Sequence, residues 1–516
     1  MNSPIPYRIQ ALIESIETEK IPLHYFILSL LALITLREFI EVVSAHNHFD
    51  FFSFVSFGLF YLGLALPLIC LLSTTHRVSL AKVSRSVLAG FAIIILPPIA
   101  DLVLSHGEGF QMGYLSPEGN GSLLSLFVTF FGEWGMPGIS PGIRIELIIV
   151  LFSSGVYGWI KTQRMSRSLF SIFFTYVVVF FYLSIPYYID ALFGRGSLPV
   201  DHFQADLSSI LVLISSPFLW WLIWKVDPKT TRAVISDGRY PRYAYYWLML
   251  LCGTAFGGAA SVMRSTTPDR LVFVLGIFNA SLALLFAWLF SVITNNIADQ
   301  KIDQISNKTR PLAVRSVDIV AYQKAAWVSL ALALLHAALT GFVVFMCIAV
   351  FIGSYFLYSM PPFRFKRVFL LSKLAIGLNS FVMALAGYAL STNSSSVTRD
   401  LILDSFTVRV SVALIIGITI AANFIDLKDT EGDKSDHIKT LPVLIGQRQA
   451  QFVVAASLMF VFALLPQSFS NSFPKWPFYA IGVIQFFLIV RRRYDERPVL
   501  LLVLCAQTVA LYSLLR

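Results

Sequence analysis

Two stretches of the chain concentrate carboxylates at helical spacing. The first, TNNIADQKIDQISNKTRPLAVRS, covers residues 294–316 and sets Asn295, Asp299 and Asp303 four residues apart. On a helix that spacing stacks all three on one face, one turn above another. The second, NFIDLKDTEGDKSDHIKTLPVLIG, covers residues 423–446. There Asp429 and Asp433 repeat the spacing, with Asp426 one turn earlier. Like charges stacked on one face repel, so the pattern calls for a compensating cation. Magnesium fits, because it favours one or two carboxylates plus substrate phosphate oxygens over an all-protein cage. Two such pairs on facing helices could hold Mg²⁺ against a diphosphate, with Lys308, Arg310 and Lys439 taking the remaining phosphate oxygens. A third stretch, YSMPPFRFKR at 358–367, stops a helix at its Pro-Pro pair and clusters Arg364, Lys366 and Arg367. Alone it is an ordinary basic anchor; beside two acidic loops it makes a third wall for an anion.

These residues must be positioned by membrane helices. The chain has 516 residues, is 57% hydrophobic and only 13% charged, with a mean hydropathy of +0.74. Soluble domains run nearer ~25% charged, so a soluble enzyme, a disordered chain and a secreted disulfide scaffold are excluded. The expected fold is all-α and polytopic. Apolar runs predict six spans at about 22–44, 51–74, 84–104, 145–161, 168–193 and 207–225. A shorter apolar stretch, 123–131, reads as re-entrant or interfacial. A polar linker, 225–242, follows. Nine further spans are predicted at about 243–263, 271–294, 322–338, 340–358, 369–391, 404–424, 450–467, 475–490 and 498–515, with Gly341 marking the turn that divides 322–358. The expected organisation is thus an N-terminal membrane domain, 1–230, and a second domain, 240–516.

Net charge is +10, from 39 basic and 29 acidic residues. No long basic run exists, which argues against nucleic acid as a partner. The basic residues fall in alternate short loops, the distribution of the positive-inside rule. With the N-terminus in the cytoplasm, both acidic loops and the Pro-Pro loop are cytoplasmic and the C-terminus lies outside. A bacterial chain would sit in the inner membrane. The polar first twenty residues, with Glu14, Glu17 and Glu19, do not form a cleavable signal, so the first span is expected to serve for insertion. Cys70, Cys252, Cys347 and Cys505 lie in apolar runs without CxxC spacing and read as buried free thiols. His46 and His48 lack companion ligands for zinc. In the early spans Arg37, Glu38, Glu41 and Asp101 are ionisable, and Arg37 and Glu41 are spaced to pair on one helix face. Bundle packing is their expected role, with a lipid or acceptor pocket as the sharper alternative.

At the three motif loops the sequence resembles the UbiA superfamily of intramembrane prenyltransferases. NNIADQKID followed by NKTRPLA is similar to that family's NDxxDxxxD signature, and DTEGDKSDHIKTLPVLIG to its second, DxxxD-containing one. The YSMPPFRFKR loop and the AGY at 386–388 also match, and the resemblance covers about residues 240–516. Two departures stand out: Asn296 where many members carry Asp, and His437 where Gly is frequent. Residues 1–230 resemble no family we can name. The resemblance implies a nine-helix bundle in which Asp299, Asp303, Asp429 and Asp433 hold Mg²⁺ and act in catalysis. It implies that Asn295, Lys308, Arg310, Tyr358, Arg364, Lys366, Asp426 and Lys439 bind substrate. The implied reaction moves an isoprenyl group from a prenyl diphosphate to a lipophilic acceptor, most readily an aromatic ring, within the lipid bilayer and with no obligate protein partner. A cation-coupled transporter and a non-catalytic prenyl-lipid scaffold are the alternatives. Boundary carboxylates beside basic loops disfavour a transporter, whose sites sit near the bilayer midplane. Intact acidic pairs disfavour the scaffold.

Overall fold

The computed structural model describes residues 7–21, 23–45, 51–110, 113–115, 122–132, 139–194, 203–300, 303–304, 309–314, 316–392, 408–428, 430, 434, 439–469 and 473–516. Every regular element among them is a helix. Among the described residues twelve helical segments are long and apolar enough to cross a membrane, so the chain is an integral, multi-pass membrane protein. The contacts divide it into two compact units, Met1–Val226 and Asp227–Arg516.

The first unit runs through α1 (Tyr7–Thr18), α2 (Leu23–Ala45), α3 (Phe51–His76), α4 (Leu80–Gly90) and α5 (Leu96–Leu104), with a 3₁₀ turn at Phe91–Ile95. It continues through α6 (Leu123–Val128), α7 (Pro141–Thr162), α8 (Met165–Leu183), α9 (Ile185–Phe193) and α10 (Phe203–Val226). Prolines decide where the long apolar runs break. The expected span at 168–193 is two helices, because Pro186 has no amide to bond the carbonyl of Tyr182. The 3₁₀ turn likewise precedes Pro97 and Pro98. The polar helix α1 is fixed by one buried carboxylate: Glu17 accepts from the Tyr157 hydroxyl at 2.9 Å and from Lys161 Nζ at 2.7 Å. Helices α5 and α7 touch backbone to backbone, since a Cβ on Gly142 would lie 2.3 Å from the Pro97 carbonyl oxygen.

The second unit opens with α11 (Pro228–Ser236), a helix inside the expected linker. Its N-cap is Asp227, whose side chain accepts from the Thr230 amide at 3.0 Å. Hydrogen bonding from the Thr230 side chain, and then from its amide, holds the Asp227 carboxyl below its ordinary range. Next come α12 (Tyr240–Phe256), the single turn α13 (Ala259–Val262), α14 (Thr267–Ala298), α15 (Ile319–Ala338), α16 (Phe342–Ser359) and α17 (Phe369–Thr392). The unit ends with α18 (Val408–Ala421), a 3₁₀ segment at Ala422–Lys428, α19 (Leu441–Ile445), α20 (Gln447–Leu464), α21 (Trp476–Val490) and α22 (Glu496–Leu515). The turn between α15 and α16 falls at Gly341, whose φ of 114° suits only glycine. The expected span at 243–263 stops early, at Phe256, where Gly258 takes a left-handed φ of 91° and ends the helix. Helices α12 and α21, of 17 and 15 residues, are shorter than the ~20 residues a full crossing needs.

Two features position the chemistry. Helix α14 has 32 residues, about 48 Å of helix against a hydrocarbon core of about 30 Å. Its last turns can therefore project past the lipid tails, and those turns carry Asn295 and lead into Asp299. Helices α12 and α17 form a seam without side chains between them. A Cβ on Gly253 would lie 1.9 Å from the Ala384 carbonyl oxygen, and one on Gly387 would lie 1.9 Å from that of Leu250. Small residues of this kind let membrane helices approach by their backbones. The cysteines are free, but of the four only Cys347 is buried; Cys70 and Cys252 are half-buried and Cys505 is exposed, correcting the expectation that all four thiols are buried.

Candidate active site

A cavity of about 230 Å³ lies inside the second unit. Its long walls are apolar, from Met249, Phe256, Ile418, Leu458, Phe462 and Leu514 among others. One end is polar, bounded by Arg239, Arg242, Asn295, Tyr358, Ser359, Lys373 and Glu496. A greasy tail with a charged head matches that division.

Asp299 caps the C-terminus of α14, one turn beyond Asn295. Its amide donates to the Asn295 carbonyl at 2.9 Å, and the Asp303 amide donates to the Asp299 carbonyl at 2.8 Å. Each of these two amides thus bonds the carbonyl four residues before it, the interval at which the sequence spaces Asn295, Asp299 and Asp303. Both carboxylates are buried and each meets basic partners. Asp299 accepts from Lys366 Nζ and, at 3.2 Å, from Arg364 Nη2. Arg364 also donates to the Ala298 carbonyl, at 3.3 Å. Asp303 accepts from Arg310 Nη1. The Pro361–Pro362 loop is what delivers Arg364 and Lys366, and Arg364 takes a left-handed φ of 42° there. Burial pulls the Lys366 ammonium below its ordinary value, and Asp299 opposes that pull.

Asn295 accepts from the Ser359 hydroxyl at 3.1 Å, which joins α14 to α16 at the cavity mouth. Asp426 is buried and paired with Lys373 on α17. Tyr358 lines the cavity. Lys439 is exposed before α19 and stands outside this network. Asp429, Asp433 and Lys308 lie outside the described residues.

Sequence reasoning assigned no role to several residues that the fold brings here. Asn296 donates to the Asp237 carboxylate and to the Tyr322 hydroxyl at 3.3 Å. It accepts from Arg239 at 2.8 Å and from Arg310 at 3.4 Å. An aspartate at 296 has no N–H to offer Asp237, so the departure at 296 is what admits a carboxylate from the α11–α12 loop. Arg242 donates to Glu496 at 2.8 Å, and Lys428 pairs with the same carboxylate. The one signal for these residues is that 239 and 242 sit at a helix entry in a basic loop, as the motif cations do.

Burial raises the Asp237 carboxyl, and Arg239, Arg310 and Asn296 oppose the shift. A raised folded-state value means that its stabilising contribution is present below the ordinary carboxylate range. The contribution is lost as pH rises through the raised value. Asp237→Asn removes that titration. We expect the mutant's thermal stability to be flatter than the parent's across mildly acidic pH, measured by melting in detergent; superimposable pH profiles would contradict this.

With this geometry in place, comparison with known proteins identifies the class. Residues 249–500 match the family model described as the UbiA prenyltransferase family. That segment is a UbiA prenyltransferase family domain. A curated relative, "Probable homogentisate phytyltransferase 2, chloroplastic" of Oryza sativa subsp. japonica, is 28% identical over 273 residues, which is 47% of this chain and 68% of the relative. A UbiA homologue from Archaeoglobus fulgidus, bound to GPP and Mg²⁺, is 17% identical over 55% of this chain and 99% of its own, with a TM-score of 0.44. The apo UbiA homologue from Aeropyrum pernix K1 is 17% identical over 51% of this chain and 94% of its own, with a TM-score of 0.40.

Proposed function

We propose that the second unit transfers an isoprenyl group from a prenyl diphosphate to a lipophilic aromatic acceptor. The observation that carries this reading is the cavity itself. Its apolar length ends at Asn295, one helical turn from a buried carboxylate held by Lys366 and Arg364. The curated relative, named for homogentisate, supports an aromatic acceptor.

The donor set suits magnesium. Among the described residues no three acidic, His or Cys groups lie close enough to cage a metal. Magnesium does not require a cage; one or two carboxylates beside phosphate oxygens suffice. Asp299 and Asp303 would supply the first pair, and Asp429 and Asp433 the second. When bound, the ion neutralises charge on the diphosphate and lowers the cost of its departure.

The protein's own groups do the rest. Arg310, Arg364 and Lys366 are each paired to a carboxylate, so these donors are held in fixed positions at the site. They bind phosphate oxygens as the allylic C1–O bond loosens and its electrons leave with diphosphate. A ring carbon of the acceptor then bonds to C1, and the proton displaced from that carbon passes to a base. Asp426 would serve the acceptor side: among the described residues its buried Oδ2 has no hydrogen-bond partner, while Oδ1 is held by Lys373, which supports that role. The apolar walls keep water from quenching the cationic carbon. The reading places the site loops on the cytoplasmic side, in keeping with their basic flanks.

The full chain in liposomes, given geranylgeranyl diphosphate and a panel of aromatic acceptors that includes homogentisate, tests this. We expect prenylated product and diphosphate release that stop on chelation of magnesium. Product formed equally with and without the chelator would refute the metal assignment. No product with any acceptor, across donors of several tail lengths, would refute the reaction.

A further inference from the structure

The first unit contains ionisable groups for which prenyl transfer has no use. On α2, Arg37 is 2% exposed, Glu38 4% and Glu41 0%; Asp101 on α5 is 0% exposed. Arg37 pairs with Glu41 and lies 5.9 Å from the ring centre of Tyr61 on α3. Asp101 Oδ1 accepts from the Gly142 amide at 2.7 Å, and Glu146 follows one turn along α7. Arg37 is within electrostatic reach of Glu38, Glu41 and Glu146, and Glu41 of Asp101.

Glu38 differs from its neighbours. Neither of its oxygens has a hydrogen-bond partner among the described residues, and Glu41 Oε1 and Asp101 Oδ2 are also unpartnered. An ionised carboxylate is an acceptor only. Buried without a donor it pays the full desolvation cost, which is steep inside a membrane bundle. Four carboxyl groups against one guanidinium leave an excess of three negative charges. A caged metal does not supply the balance, since no three candidate ligands among the described residues lie close enough together. A proton on Glu38 removes one of those charges, the one for which neither oxygen has a donor, and it needs neither a cavity nor further ligands.

We propose that the first unit binds a proton at Glu38, with the Arg37–Glu41 pair as its fixed counter-charge. Binding moves one proton from bulk hydronium to a Glu38 oxygen; one O–H bond breaks, one forms, and no electron is transferred. The other titratable groups around α2 are accounted for. Helix α3 contributes Tyr61 and α5 contributes Asp101; the Phe91–Ile95 turn contributes none. On α4, Lys82 and Arg85 serve Glu17. Tyr114 feels both Glu38 and Glu41. The unit is then a proton-handling membrane module whose chemistry is separate from the transferase.

Infrared difference spectroscopy on the full chain in lipid nanodiscs tests this. A protonated carboxyl shows a C=O stretch that ionised carboxylates lack. At neutral pH we expect that band in the parent, its bleaching on alkalinisation, and its loss in Glu38→Gln with prenyl transfer unchanged. Retention of the band in Glu38→Gln, or loss only in Asp101→Asn, overturns the assignment. Should Glu38→Gln fail to fold, ¹³C-glutamate labelling of the parent decides. A band that shifts with the label supports the site; an absent or unshifted band overturns it.

Discussion

Asp299→Asn is expected to lower prenyl transfer by about 10²–10³-fold, because it deletes a carboxylate that would hold the Mg²⁺ facing the departing diphosphate. The substitution keeps the shape of the side chain and deletes its charge, so the defect reports on electrostatics. Two consequences follow from the pairs seen here. Lys366 and Arg364 lose their shared carboxylate, and since both cations are only half-buried the cost stays below the about 3 kcal/mol of breaking a fully buried pair. The freed cations also attract anions more strongly. Inorganic diphosphate without magnesium should therefore raise the melting temperature of Asp299→Asn more than that of the parent. Product formation by the mutant within threefold of the parent, in a matched liposome assay, would remove Asp299 from the machinery.

The second large effect is structural. Gly387→Val and Gly253→Val each place side-chain atoms where the partner helix has backbone. Overpacking a core against movable side chains costs about 1–3 kcal/mol. Here the obstacle is a carbonyl in a helix and cannot rotate away, so a loss of at least ~3 kcal/mol is expected. Detergent-solubilised mutants should elute largely as aggregate in size-exclusion chromatography. Gly353→Ala is the control: nothing lies within 4 Å of the added Cβ, and alanine in mid-helix gains up to ~1 kcal/mol over glycine. Monodisperse Gly387→Val at parental yield would show that the seam can open.

Apolar runs place helices well in this chain because a membrane demands that each crossing satisfy its own backbone. The same logic misjudges where a run is interrupted internally. The 243–263 and 168–193 runs are continuous in hydropathy, and only Gly258 and Pro186 announce the breaks. The acidic frame of the first motif is legible because Asn295, Asp299 and Asp303 interact through local helical spacing. Arg239, Lys373 and Glu496 are not legible in that way. Each acquires its meaning from a partner more than fifty residues distant, and pairing at that range is set by how helices pack. Asn296 shows the difference best. In sequence it is a motif with one acid missing; in the fold it is the donor that Asp237 requires.

The glycine seam also bears on how the enzyme accommodates guests. Gly253 and Ala384 both face the cavity, and a wall whose two backbones already touch has no slack to yield. Room for a longer or thicker isoprenoid must come from the other side, where α18 carries Val410, Leu414 and Ile418. That helix runs straight into the 3₁₀ segment bearing Asp426. If the cavity holds a prenyl tail as proposed, one that pushes α18 outward would drag this carboxylate with it, the bulk of the hydrocarbon would be sensed at the polar end, and turnover would become a gauge of chain length.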